Sequence, residues 1–164
     1  MPLNFLRSLK DLSKFSFGAT SAITTSLALI VGLDTVSNPK MSIISALLLL
    51  AFADNISDSL GIHVYRESES SESKSPKVYT ISNFLTRLII TLMFVLLVAL
   101  LPLNYAIIAS LVIGLLILTI LSYLIAVQQN VHPLPAILHH LGVAVIVLAT
   151  SHFIGKLIVS SFRI

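Results

Sequence analysis

From Leu88 to Gly155 the chain runs for 68 residues without one Asp, Glu, Lys or Arg. No water-soluble surface can be built over such a run, since soluble domains carry about 25% charged residues. One helical crossing of a bilayer takes about 20 apolar residues, so this stretch alone has room for about three. The rest of the chain agrees: 56% of its 164 residues are hydrophobic, 10% are charged, and the mean hydropathy is +1.00. The expectation is an all-α integral membrane protein surrounded by lipid. Lys and Arg number 10 against 7 Asp and Glu, but the basic residues cluster in short groups beside apolar runs. A nucleic-acid binder spreads them over an exposed face, so no nucleic-acid partner is expected. With no cysteine, disulfides, thiolate metal sites and cysteine nucleophiles are excluded together. Oxygen and imidazole remain as metal ligands.

Local breakers divide the chain into five spans. The first covers about 15–33, closed by Asp34, Ser37, Asn38 and Pro39; Asn38 then reads as an N-cap with Pro39 at the first helical position. The second covers about 41–64. Residues 66–77 are rich in Ser, Glu and Lys and read as a solvated loop. Pro102 with Asn104, then Gln128 to Pro135, cut the remainder into spans near 81–103, 105–127 and 136–160. Arg7, Lys10 and Lys14 precede the first span, and Arg66, Lys74, Lys77 and Arg87 flank the connection from second to third, whereas the loop from first to second holds only Lys40. The positive-inside rule therefore puts the N-terminus in the cytoplasm and, with five spans, the C-terminus outside. Residues 1–14 set Leu6, Leu9 and Leu12 against Arg7, Lys10, Asp11 and Lys14, the pattern of a short helix lying in the cytoplasmic interface; a frayed basic tail fits equally. The apolar stretch behind it, 15–33, is too long for a cleaved leader. The transmembrane domain is then 15–164.

Two acids stand inside the second span. A carboxylate at the centre of a span costs about 2.5–3.5 kcal/mol, which some partner must offset. Asp54 and Asp58 are spaced i, i+4 and so share a helix face, with Ser57 and Gly61 on the same stripe. Of the 17 charged residues, the other 15 are assigned here to loops, span ends or interfacial segments. The first span offers Gly18, Ser21, Thr25, Ala28 and Gly32 at three- and four-residue intervals, with Thr24 beside them, a pattern that lets helices approach closely. Packed on the acid face, it would make a seam of carboxylate and hydroxyl oxygens suited to a hard or borderline divalent cation, or to a proton. The alternative is that both acids are protonated and hydrogen-bond to Thr24, Thr25 or Asn55 as packing contacts. His63, His132, His139 and His140 fall in the same half as Asp58, and His63 or His139 beside Asp58 would give a mixed oxygen and imidazole site. For each, a satisfied interfacial role competes. His152, one turn before Lys156, is a relay or a packed polar residue. Glu67, Glu69 and Glu72 read as loop acids.

Within these spans several short stretches resemble the vacuolar iron transporter family of divalent iron and manganese carriers. They are Phe17-Gly18-Ala19-Thr20-Ser21-Ala22-Ile23-Thr24-Thr25 with Gly32, Ala53 through Ser57 to Gly61, Leu101-Pro102-Leu103, and Ile154-Gly155-Lys156. The resemblance implies a five-helix protomer with a cytosolic N-terminus, a homodimer whose first two helices line a central metal path, and coupling to protons. Ser21 stands where that family has an aspartate, Asp58 where it has a methionine, and Ile62 where it has a glutamate; its cytoplasmic metal-binding domain has only the short polar loop in its place.

The expected function is transport of a divalent cation, manganese or iron, through a dimeric path. Asp54, Asp58 and His63 are its candidate metal ligands and Ser21, Thr24, Thr25 and Ser57 line it. The metal is cargo, and no resident cofactor is expected. A non-transporting scaffold or accessory subunit is the alternative. No catalytic activity is expected: neither Ser57 nor Ser151 has a base at recognisable spacing, and no His-Glu-x-x-His pair occurs.

Overall fold

The computed structural model describes residues 3–68 and 76–162, and these are almost wholly helical. The helices are α1 (Leu3–Leu33), α2 (Pro39–Leu49), α3 (Asn55–Ser68), α4 (Pro76–Leu100), α5 (Leu103–Gln128) and α6 (Pro133–Phe162). A wide π-helical turn, Leu50–Asp54, joins α2 to α3 into one rod. Five helical segments are long and apolar enough to cross a membrane: Phe15–Leu33, Pro39–Ser68, Lys77–Leu100, Leu103–Gln128 and Pro133–Phe162. The protein is a multi-pass membrane protein.

The breakers act through backbone chemistry. Pro39 opens α2 where no N–H is required, and Asn38 occupies the N-cap; its side chain makes no capping bond, and Ser42 instead donates N–H and hydroxyl to the Asn38 carbonyl. Pro102 stands one place earlier, as the N-cap of α5, so α4 ends at Leu100 and α5 starts at Leu103, each about two to three residues earlier than the expected spans. Pro133 and Pro135 sit in the first turn of α6, where prolines are tolerated, so that helix begins at Pro133 rather than near 136. Between α5 and α6, Asn130 adopts φ 55°, and the N–H groups of Val131 and Asn130 reach the Ala126 and Val127 carbonyls. That is a Schellman closure with asparagine in the left-handed position. Backbone of 3–14 continues α1 without a break rather than forming a separate helix. Residues 69–75, with Glu69, Glu72 and Lys74, and Arg163 at the C-terminus, lie outside the described residues.

α1 is the central helix and packs on α4, α5 and α6, with α2 alongside. Its Ile23, Leu27 and Ile30 meet Ile43, Leu47, Phe94, Val98, Leu118 and Ala144 in the core. α5 turns a four-residue repeat inward, Ala106, Ser110, Gly114, Leu118, Ser122 and Ala126. Small side chains there permit close approach: a Cβ on Gly114 would lie 2.8 Å from a Leu27 methyl. At the far end of α4 the Lys40 ammonium donates to the Leu101 carbonyl at 3.0 Å, satisfying an orphan acceptor at the negative end of the helix. Lys40→Ala is expected to lower the thermal midpoint modestly, by about 1 kcal/mol of stability. An unchanged midpoint would remove this contact from the account.

Candidate functional site: an acid pair around a buried arginine

The second and third spans form a hairpin in which polar side chains match in antiparallel register. On α3 and the π turn stand Asp54, Asn55, Asp58 and Ser59; on α4 stand Asn83 and Arg87, again four residues apart. Arg87, 3% exposed, forms an ion pair with Asp54 through Nη2 and lies 3.4 Å from Asp58 Oδ2 through Nη1. The same Nη1 donates to Ser21 Oγ of α1 at 2.5 Å. One turn away, Asn83 Nδ2 donates to Asp58 Oδ2 at 2.9 Å and to Ser59 Oγ at 3.1 Å. Three helices thus meet on one guanidinium.

The π turn is held by Asn55, whose side-chain amide donates to Ala51 of the turn at 3.2 Å and to Phe84 of α4 at 2.9 Å. Wide turns of this kind leave backbone groups that need partners and recur at functional sites. Asp54, the last residue of this turn, sits near the middle of the 30-residue second span with its side chain 53% exposed; Asp58 is 26% exposed. Two carboxylates share one guanidinium, so the cluster carries one formal negative charge beyond what Arg87 balances. The ion pairs use Oδ2 of each acid and leave both Oδ1 atoms outside them. Beside Asp58 opens a cleft of about 370 Å³ lined by Phe17, Asp58, Gly61, Ile62, Tyr65, Arg66, Tyr79 and Asn83.

Several expectations need correction. Arg87 does not flank the connecting loop: it lies three turns inside α4 and is buried against Asp54 and Asp58. The small stripe of α1 does not pack on the acid face. Gly18 faces Asn83 of α4 and Gly32 faces Ser151 of α6, because Arg87 occupies the space between Ser21 and the acids. Thr24 and Thr25 donate their hydroxyls back to the Thr20 and Ser21 carbonyls, at 2.9 and 2.7 Å, and Ser57 lies on the exposed side of α3. Of the expected path residues, Ser21, Asp54 and Asp58 come together. His63 does not join them. Its Nδ1 lies 3.1 Å from Thr80 Oγ1, on another side of α3, and among the described residues no three His, Cys, Asp or Glu gather as a metal site. Ile62 lines the cleft. His140 is paired with Ser122 of α5 at 2.8 Å, His139 meets its ring edge-on, and His152 is half-buried on α6. Glu67 is exposed.

Sequence reasoning missed Asn83 and Ser59, placed Arg87 at the loop, and offered Asn55 as a partner of the acids, whereas its amide serves the Ala51 and Phe84 carbonyls. The signal was present, since Asn83 and Arg87 repeat the i, i+4 spacing of Asp54 and Asp58 on the next helix. Two consecutive antiparallel helices with complementary polar pairs at equal spacing are placed to meet. Comparison with protein-family models, curated proteins and solved structures returns no match.

Proposed function

We propose that this chain is a membrane transporter of a cation, working as a homodimer, in which Asp54 and Asp58 take up the charge and Arg87 is their resident counter-ion. The observation that carries the reading is the sharing of one guanidinium by two carboxylates near the middle of a membrane-spanning rod. Intramembrane acids are costly, and a pair with one negative charge in excess attracts a positive one. Transport then exchanges partners: the cargo, or a proton, binds the acids as Arg87 is released toward Ser21, and Arg87 returns when the cargo leaves. Carriers commonly bind near the bilayer midplane, where Asp54 falls. The half-exposed Asp54 side chain supports a second copy covering this face.

The orientation that fits the basic clusters has the N-terminus and the connection after α3 on the cytoplasmic side and the C-terminus outside. The cleft beside Asp58 then opens toward the cytoplasm. Divalent iron or manganese, the cargo that the sequence resemblance implies, would meet the carboxylate oxygens of Asp54 and Asp58 and the Ser21 hydroxyl where Arg87 now sits, behind the cleft and not in it, and these oxygens suit the harder of the two ions, manganese. It would have to take the guanidinium's place to do so, because a dication beside Arg87 reverses the charge of the cluster.

The scaffold reading is favoured by one fact, that the acids already find a partner within the chain. Proteoliposome flux separates the two. Asp54→Asn, which keeps the shape and lets Asp58 continue to balance Arg87, is expected to reduce cation-driven proton movement, or manganese uptake, by about tenfold or more while the purified protein stays folded. Unchanged flux in that variant, or none above empty vesicles in the parent, would leave the scaffold.

A further inference from the structure

The cleft beside Asp58 has the wrong walls for a bare metal ion and the right ones for an organic cation. Its lining combines a single carboxylate with three aromatic rings, Phe17, Tyr65 and Tyr79, and with the side chains of Ile62 and Asn83. At about 370 Å³ it falls in the range of about 300–1,000 Å³ typical of small-molecule sites. Gly61 borders open space, since a Cβ built there would meet nothing within 4 Å. The rings already hold a guanidinium, since Arg66 Cζ lies 4.4 Å from the Tyr79 ring centroid and 5.7 Å from that of Tyr65. Both distances are within the reach of cation–π attraction. Deeper in, Asp58 Oδ2 is taken by Asn83 and Arg87, which leaves Oδ1 as the carboxylate oxygen for an incoming cation.

We propose that this cleft binds an amphipathic organic cation, a guanidinium or ammonium head on an apolar body, with the head on Asp58 and the body against Phe17, Tyr65 and Tyr79. The inference rests on the reading of Asp58 as part of a cation-handling centre and gives the cleft in front of that centre an organic ligand of its own. Arg66 is the internal occupant of the rings, and the incoming cation displaces it from Tyr79 as its head reaches Asp58. Asp58 connects the two positions, since it lines the cleft whose Tyr65 and Tyr79 rings hold Arg66 and also lies 3.4 Å from Arg87. A cation at either position replaces like with like.

The test is calorimetric titration of the purified full chain in phosphatidylcholine nanodiscs with benzylguanidinium, and with benzylurea as its neutral counterpart of similar shape. Benzylguanidinium is expected to bind at least about tenfold more tightly than benzylurea. Asp58→Asn should abolish that difference, Tyr79→Ala should weaken binding about fivefold, and Tyr79→Phe, which keeps the ring, should restore it. Arg66→Ala should tighten binding by removing the resident competitor. Thermal unfolding of each variant confirms that it is folded, and the Tyr79→Phe and Arg66→Ala predictions hold even where Asp58→Asn fails to fold. Equal binding of the charged and neutral probes by the parent, or indifference to Tyr79 and Arg66, overturns the proposal. Manganese flux that depends on Asp54 without benzylguanidinium binding would sink this inference and leave the carrier reading standing. Binding without flux of any cation would do the reverse.

Discussion

Arg87→Met is expected to be among the most destabilising substitutions in the membrane-spanning part of this protein. The guanidinium is 3% exposed and is the common partner of Asp54, Asp58 and Ser21, which belong to two other helices. Removing it leaves two like charges one turn apart on one helix face with no cation between them. Loss of one partner from a buried ion pair costs about 3–5 kcal/mol, chiefly because the remaining charge is stranded. Here the lower end applies, since Asp54 is half-exposed. The measurement is the thermal or denaturant midpoint in detergent micelles. The informative comparison is the charge-free variant, Arg87→Met with Asp54→Asn and Asp58→Asn, which should regain most of the lost stability, because replacing an entire buried ion cluster by neutral groups is often close to neutral. That recovered protein should carry no cation flux. A single Arg87→Met variant as stable as the parent would mean that the cluster contributes nothing to holding the three helices. A charge-free variant that still transports would remove the acids from the mechanism.

What was legible in the sequence follows from which forces act locally. Span number and approximate position are written in composition and in prolines, because a bilayer demands runs of fixed length and proline denies a helix its N–H. The differences at Pro102 and Pro133 are of one kind: these residues sit just outside or just inside helix starts, where proline is tolerated, so a breaker read as a gap moved the boundary by about two to three residues, whereas the helices on either side of the polar loop run on to Ser68 and back to Lys77 because polar residues continue a helix beyond its apolar stretch. Asp54 and Asp58 were legible because a lone carboxylate in lipid needs explaining. Arg87 was not, because a basic residue about ten positions after a polar loop is readily assigned to the interface, where long basic side chains extend toward water. Its burial depends on the register of α4 against α3, a tertiary fact. The same holds for α1. Its small residues announced close packing but not the partner, and Gly18 and Gly32 turn out to serve α4 and α6 rather than the acid-bearing helix.

The second large effect is expected at that contact. A Cβ at Gly155 would stand 2.1 Å from the Gly32 carbonyl oxygen and 2.8 Å from Thr35 Oγ1, and a Cβ at Gly32 would stand 3.2 Å from the Ser151 carbonyl. The obstacle is backbone on both sides, so no rotamer change relieves it; α6 must move away from α1 as a body. In lipid, where helices gain little from burying apolar surface, such close approach supplies a large part of the attraction between them. Gly155→Ala is therefore expected to cost about 3 kcal/mol or to prevent assembly of the bundle, although alanine is the better helix former by about 1 kcal/mol. Gly142→Ala is the matched control. It lies on the same helix, a Cβ there meets nothing within 4 Å, and its expected effect is neutral or mildly stabilising. The difference between the two thermal midpoints thus measures the α1–α6 contact with helix propensity held constant. Equal midpoints would mean that the two helices are not packed backbone to backbone. A large loss confined to Gly155→Ala, with Asp54-dependent flux falling in parallel, would tie the charge cluster at Ser21 to the close contact at Gly32, about three turns further along the same face of α1, through the rigidity of that single helix.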